Sequence, residues 1–462
     1  MTSPNLTSAV TAPASDFAYA AHVNPQWVRL LNLLQMNVRY ERCLGAELFT
    51  TSGERILDFL SGYCVHNAGH NHPAIVEALK RELDRNGPAM LQSHVPELAG
   101  ELAEKLCARA GGRLRKAFFC SSGSEGVEAA IKFSRAHTKR TGLLYAEGAF
   151  HGLTCGALSL MGDAFWREDF GPMLPGTEAV PWGDPAALEA KLATKRFAAF
   201  VVEPVQSEAG IRLPPPGYLK TAQDLCHRHG TLFVLDEVQT GMYRTGPFLA
   251  SHHVDANLDL DPDMVILAKA LSGGLVPVAA LLMSDAVYNS VYNSLKRSIV
   301  HASTFSENSL SMRAGLATLE VLERENLGQR ATVLGDYLRQ RLREKLSGFE
   351  MVREIRGIGL LNGIVFTAPQ KLKIRVLFET FMKIHPSMFG QVVVMRLFRD
   401  FGMLTQICGN NFLVLKAAPP LMVSESQLDE FVDAVHTTVE LMHASGSFWT
   451  EALGLARRVI NV

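Results

Sequence analysis

Six short apolar runs alternate with helix-like stretches through the middle of this chain. They are Lys116–Cys120, Leu143–Glu147, Ala198–Glu203, Leu232–Asp236, Met264–Ala268 and Val276–Met283. Each is rich in β-formers and bounded by Gly, Pro or polar residues. Stretches such as Ser124–Lys139 and Tyr218–His229 lie between them. Parallel strands need a crossover connection, and a helix is the compact one. The alternation therefore predicts an α/β fold: a mostly parallel sheet with helices on both faces. Many of the runs lack in/out alternation, as expected of strands covered on both sides.

The flanks differ. An amphipathic segment (Trp27–Val38) is followed by a possible meander through Glu47–Leu60. After about residue 340 come a helix (Gly335–Leu346), strands near Met351–Ile355 and Leu360–Phe366, and a late helix (Gln427–Met442). This α+β pattern predicts a smaller domain built from both chain ends. The expected division is a disordered tail (1–16), the N-terminal part of the small domain (17–70), a large domain (71–340), the rest of the small domain (341–445) and a C-terminal tail (446–462). No internal repeat interrupts it.

Composition narrows the function. With 45 Lys+Arg against 46 Asp+Glu the formal charge is −1, which removes the usual electrostatic reason to expect a nucleic-acid partner. The longest apolar runs fall short of the roughly 18–20 residues a spanning helix needs. Met1 to Asp16 has no positive charge and no apolar core, so it does not read as a secretory signal. Seven scattered cysteines without a Cys-x-x-Cys pair predict reduced thiols and a cytoplasmic setting.

Three patterns imitate chemistry. His66, His70 and His72 could bind a metal, but they sit in a loop-like stretch with no helix to align the first pair. Asp255-x-Asn257-x-Asp259-x-Asp261 begins like a calcium loop, but Leu260 stands where the turn glycine belongs and Ile266 where the closing Glu belongs. Gly357-Ile-Gly359-Leu-Leu-Asn-Gly363 has the wrong spacing for a dinucleotide fingerprint.

Four elements carry chemistry together. Ser121-Ser-Gly-Ser-Glu-Gly126 stands between a strand and a helix, where free backbone N–H groups and the helix dipole suit a phosphate. Its plain alternative is an N-cap made by Ser124. Leu232–Asp236 puts a carboxylate at the carboxyl edge of a parallel sheet, where such folds bind ligands. A carboxylate there can keep a heterocyclic nitrogen protonated, though a solvated strand end would look the same. Lys269 follows five apolar residues, and desolvation of an amine favours its nucleophilic neutral form. The plain alternative is a lysine that snorkels outward. His301-Ala-Ser-Thr304-Phe-Ser-Glu-Asn308 reads by itself only as a loop.

As a set these resemble a known family. Gly-Ser-Glu, Phe150-His-Gly152, Glu203-Pro-Val-Gln206, Asp236-Glu-Val-Gln239-Thr-Gly with Arg244-Thr-Gly246, Ala268-Lys269 and Ser303-Thr304-Phe305 follow the order and spacing of class III aminotransferases. Asp58-Phe-Leu-Ser-Gly62, Gly69-His-Asn-His-Pro73 and Arg356-Gly-Ile-Gly359 agree. These are fold-type I pyridoxal-phosphate (PLP) enzymes, including ornithine, acetylornithine and putrescine aminotransferases, and the resemblance covers about residues 40–440. It implies a seven-stranded sheet in the large domain. It also implies that Lys269 holds PLP as a Schiff base and then moves the proton between Cα and C4′. Asp236 would pair with the pyridinium nitrogen and Gln239 with the ring hydroxyl. Phe150 and Val238 would cover the two ring faces. Gly123 and Ser124 would hold the phosphate, and His151, Glu203 and Ser303 would lie beside the cofactor. Thr304 would reach the phosphate in the partner subunit, which implies a homodimer with shared active sites. Glu208 matches the family's gate glutamate, and Tyr63 is a substrate-side position.

The sequence departs from the family in two places. The arginine of the family's Arg-x-x-Pro-Pro strand is Lys416 here, in Leu415-Lys-Ala-Ala-Pro-Pro420. A lysine pairs with a carboxylate only as a point charge. Either Lys416 is a weaker carboxylate anchor, or the donor carries no carboxylate there. The stretch Lys371–Phe389 is apolar and basic. It reads either as a small-domain helix or as a contact with a large apolar substrate, an acyl carrier or a membrane surface. The expected activity is ping-pong transfer of an amino group from an ω-amine donor (ornithine, a diamine) to a 2-oxo acid or aldehyde. The alternatives are a large apolar substrate such as a hopanoid side chain, an aminomutase or decarboxylase of the same fold, a non-catalytic scaffold and, distantly, an NAD dehydrogenase.

Overall fold

In a computed structural model of the protein, residues 14–91, 93–253, 257–384, 387–444 and 446–460 are described. All six apolar runs contribute strands to one seven-stranded sheet. Its strands are β1 (Leu114–Cys120), β2 (Gly142–Ala146), β3 (Thr177–Val180), β4 (Phe197–Val202), β5 (Leu232–Asp236), β6 (Met264–Leu267) and β7 (Ala279–Ser284). Their spatial order is β1-β7-β6-β5-β4-β2-β3. Strand β7 runs antiparallel to both its neighbours, and the other pairings are parallel. Strands β4 to β7 are buried along their whole length, which explains their unbroken apolar character.

Two details differ from the sequence reading. Edge strand β3 was not anticipated, because Thr177-Glu-Ala-Val180 is half exposed and has no apolar run to signal it. The run expected to start at Val276 pairs only from Ala279, since Pro277 has no N–H to give a ladder.

The chain ends meet beside this sheet. Tyr40–Leu44, Glu47–Thr50 and Arg55–Asp58 form an antiparallel meander, and Met403–Leu404 joins it parallel to the third strand. Val352–Ile358, Leu361–Phe366, Asn411–Ala417 and Gln406–Cys408 form a separate antiparallel sheet. Helices Leu327–Leu346 and Glu425–His443 pack together, tied by the Tyr337 hydroxyl donating to Asp429.

Lys371–Phe389 turns part of its apolar content inward and leaves Leu372 and Val376 exposed. On helix Leu372–Ile384, Ile374, Phe378 and Phe381 are buried, and Phe389 stacks with Trp449 at 6.3 Å. Within residues 446–462, set apart as a tail in the sequence, helix Ser447–Ile460 buries Phe448 and Trp449 in the same cluster. Helix Pro25–Leu33 buries none of its residues. The expected tail at 1–16 lies largely outside the described residues. No described helix is long and apolar enough to cross a membrane, and all seven cysteines are unpaired.

The imitating motifs have structural explanations. His66 stacks on His70, His70 bonds Asp58 at 2.7 Å, and His72 bonds Glu325 at 3.1 Å, so the three imidazoles serve different partners. No group of three possible metal ligands occurs among the described residues. Asp255 lies outside those residues, and Asp261 accepts from the Arg113 guanidinium. Gly357–Gly363 forms a hairpin between antiparallel strands, without the helix a dinucleotide loop needs.

Candidate active site

Three adjacent strands deliver acids and an imidazole to one edge of the sheet. Asp236 ends β5, Glu203 follows β4, and Phe150–His151 follow β2. The Asp236 carboxylate accepts from His151 Nδ1 at 2.8 Å and from the Val238 N–H at 3.1 Å. Burial works against a charged His151, but the hydrogen bond and charge of Asp236, helped by Glu203, hold its pKa above the ordinary value. Glu203 is pushed up to about 7, first by burial and then by Asp236. The His151 charge and the N–H groups of Phe150 (3.0 Å) and Ser207 (3.2 Å) oppose that rise without cancelling it.

Lys269 follows β6 and opens the short 3-10 turn Lys269–Ser272. Its φ is +44°, in the left-handed region that residues with a Cβ seldom occupy, and such strain concentrates at functional sites. Burial lowers its amine pKa, only partly offset by Cys64, Glu208 and Asp236. Lys269, Asp236, His151, Glu203, Phe150, Val238, Gln239, Gly123 and Ser124 all line one cavity of about 390 Å³.

Helix Gly123–Thr138 starts on the facing wall. Its N-cap is Ser122, not Ser124: the Ser122 hydroxyl accepts from the Glu125 N–H, and the Glu125 carboxylate returns the bond. This capping box leaves Ser124 in the first turn, where its hydroxyl accepts from the Leu153 N–H at 3.3 Å. Behind Gln239, Lys416 on strand Asn411–Ala417 pairs with Glu208. Tyr63 lies over that ammonium, 5.2 Å from ring centre to Nζ.

A family model described as class-III aminotransferase matches residues 32–439. The chain belongs to the class III aminotransferases. It is similar to an aminotransferase, PigE, from Serratia sp. (strain ATCC 39006), with 34% identity over 453 residues and 91% of this chain covered. It spans about half the length of that curated relative (53%). Among solved structures it resembles the ornithine aminotransferase of Toxoplasma gondii ME49 (28% identity, TM-score 0.78, 88% of this chain and 92% of that one). It also resembles the acetylornithine aminotransferase of Elizabethkingia anophelis (29%, TM-score 0.69, 90% and 99%).

The residues of this class III aminotransferase family member fit the PLP that the family implies. The buried Gln239 Oε1 has no protein partner and lies at the cavity. A Cβ on Gly152 would stand 2.2 Å from Ser124 Oγ, and one on Gly123 would stand 3.0 Å from Val238, so both glycines keep the cradle open. Phe150 and Val238 supply apolar surfaces within the same cavity.

Two groups of anticipated residues lie elsewhere. Within one chain Ser303 and Thr304 do not line the Lys269 cavity. They line a second one, of about 640 Å³, between residues 82–98 and 288–309. Tyr63, Glu208 and Lys416 sit behind the first cavity and do not line it. Val65, Leu153, Ser272, Pro277 and Val278 also line the cavity, as does Thr240 of the Asp236–Gly241 motif, and the sequence pattern assigned none of them a role. Each stands within a few residues of a recognised motif, and that proximity was the available signal. Trp166 had none. It packs edge-on against Phe150 at 5.4 Å and donates to Asn410 Oδ1, 244 residues away in sequence, at 2.8 Å.

Proposed function

We propose that this class III aminotransferase binds PLP at the Lys269 cavity and moves an amino group by a ping-pong pair of half-reactions. The donor is an ω-amine such as ornithine or a diamine, and the acceptor is a 2-oxo acid or aldehyde. The observation that carries this reading is a desolvated amine, Lys269, facing an Asp236–His151 pair across one cavity. Bound PLP supplies an electron sink for the charge left when the substrate Cα–H bond breaks.

The protein's residues supply the rest. Lys269 would tether the cofactor through its amine and would take and return the proton at the substrate carbon that bears the amino group. Asp236, fixed by His151 and the Val238 N–H, keeps a heterocyclic nitrogen cationic. Gly123 and Ser124 offer first-turn donors to a phosphate. Phe150 and Val238 exclude water from the two faces between them. Thr304 of the partner subunit completes the phosphate site in a homodimer, in keeping with its absence from the cavity of its own chain.

The test is spectroscopic. Protein supplied with PLP absorbs near ~420 nm, and donor amines bleach the band. Lys269→Ala retains no borohydride-reducible cofactor and loses about 10³-fold or more in rate. A wild type that takes up no PLP refutes the reading.

A further inference from the structure

Resting on the aminotransfer reading above, we infer that the mouth of the Lys269 cavity is a seat for a hydrocarbon chain, made by Leu153, Trp166 and Phe165. The acceptor of the amino group is an aldehyde or ketone whose alkyl tail lies along that seat.

The seat continues the cavity wall. Phe150 lines the cavity, Trp166 packs edge-on against Phe150 at 5.4 Å, and Phe165 packs edge-on against Trp166 at 5.4 Å. Three rings thus run in a row from the cavity to the surface, where Phe165 is 66% exposed. Leu153 lines the same cavity and is still 54% exposed, which puts it at the rim. Among the described residues, the charged side chains that line the cavity are Lys269, Asp236, Glu203 and His151. The last three are buried, with Asp236 and His151 bonded to each other and Glu203 to backbone N–H groups. Lys269 is the reacting amine, so the apolar rim carries no charge of its own.

The rim is held in place. Trp166 Nε1 donates to Asn410 Oδ1 at 2.8 Å, and Asn410 Nδ2 donates to Gly148 O at 3.0 Å. The indole is thereby fastened to the backbone just before Phe150. Asp163 accepts from the Phe165 N–H at 2.9 Å and starts the 3-10 turn Ala164–Arg167, and Arg167 donates to the Tyr145 hydroxyl at 3.3 Å. Leu153 is anchored by its N–H on Ser124 Oγ. A single exposed aromatic ring is ordinary. A fixed row of rings that starts inside a reaction cavity offers its area to whatever leaves that cavity. An alkyl tail covers Leu153 and Phe165 and is itself dried by them, and a short substrate leaves both wet.

With its tail on the rim, the acceptor presents its carbonyl carbon at Lys269. It exchanges the carbonyl oxygen for the donor's amino group and is reduced, while the donor is oxidised to a carbonyl compound. Its product is an alkylamine, and the same amine offered to the holoenzyme runs that half-reaction backwards. Linear alkylamines therefore probe the acceptor's seat.

Half-reactions of the PLP-loaded enzyme with butylamine, hexylamine and octylamine, followed by bleaching, should rise in specificity constant by roughly 2- to 4-fold per methylene, the range from half to full burial of each group. Phe165→Ser should cut the octylamine value at least ~5-fold and leave butylamine within ~2-fold. A flat or falling series in the wild type, or equal losses for both amines in the variant, would overturn the inference. Calorimetric titration of the holoenzyme with 1-octanol reads the seat without turnover. Binding should be saturable in the wild type and at least ~5-fold weaker in Phe165→Ser. No binding to the wild type, or the same binding to both proteins, overturns the seat. If no amine bleaches the band, ornithine and putrescine included, the aminotransfer reading fails, and the octanol result still judges the seat.

Discussion

Glu203 gives this protein a measurable pH signature. Its carboxyl is buried behind Phe150, and its pKa rises from an ordinary 4.5 to about 7 because burial and Asp236 outweigh His151 and two backbone N–H bonds. Below pH 4.5 the group is protonated in both folded and unfolded chains and contributes no slope. Between 4.5 and about 7 the folded chain holds a proton that the unfolded chain has released, so unfolding free energy falls as pH rises. Above about 7 both forms are ionised and the loss is complete. At about 1.4 kcal/mol per tenfold change, the full loss is ~3 kcal/mol. Glu203→Gln stays neutral at every pH. Its amide also sets an N–H against the Phe150 or Ser207 N–H, at a pH-independent cost of roughly 1–3 kcal/mol. Glu208 and Asp263, both held below the usual carboxylate range, give the opposite slope, but they are common to both proteins and cancel in the difference. Urea unfolding of the PLP-saturated proteins at half-unit steps from pH 5 to 8.5 should therefore show the wild type losing ~2.5 kcal/mol relative to Glu203→Gln, the rest of the loss falling below pH 5. Parallel curves would mean that Glu203 is already ionised in the fold, and the burial argument would be wrong.

Three further outcomes are expected. Gly152→Ala brings a Cβ 2.2 Å from Ser124 Oγ at φ +121°, so thermal unfolding should show a loss of about 1–3 kcal/mol, with weaker PLP retention by absorbance. Trp449→Ala removes a buried ring whose Nε1 donates to Met442 O at 2.9 Å, and urea unfolding should show about 3–5 kcal/mol lost, whereas a detached C-terminal segment would show none. Mixing Lys269→Ala with Thr304→Ala subunits should restore about a quarter of wild-type activity, since random pairing gives each heterodimer one intact site, and no recovery after verified subunit exchange would refute the shared site.

The sheet and the active-site edge were legible in the chain because they depend on local properties. A strand covered on both faces must be apolar throughout, and that marks β4 to β7 without any knowledge of neighbours. Asp236 and Lys269 were findable because each stands at the end of such a run. Strand β3 and helix Ser447–Ile460 escaped: the first is half solvated, and the second is stabilised by a cluster around Phe389 about 60 positions away in sequence.

By itself, then, the sequence determined the layered α/β core and which side chains sit at its carboxyl edge, since the pattern of apolar residues encodes burial within a few positions. Only the tertiary structure decided the partners. His151 meets Asp236 across 85 residues, Glu208 meets Lys416 across 208, and Ser122 takes the cap that Ser124 might equally have filled. A hydrogen bond or ion pair is fixed over a few ångströms, and chain packing, not residue order, brings distant segments within that range.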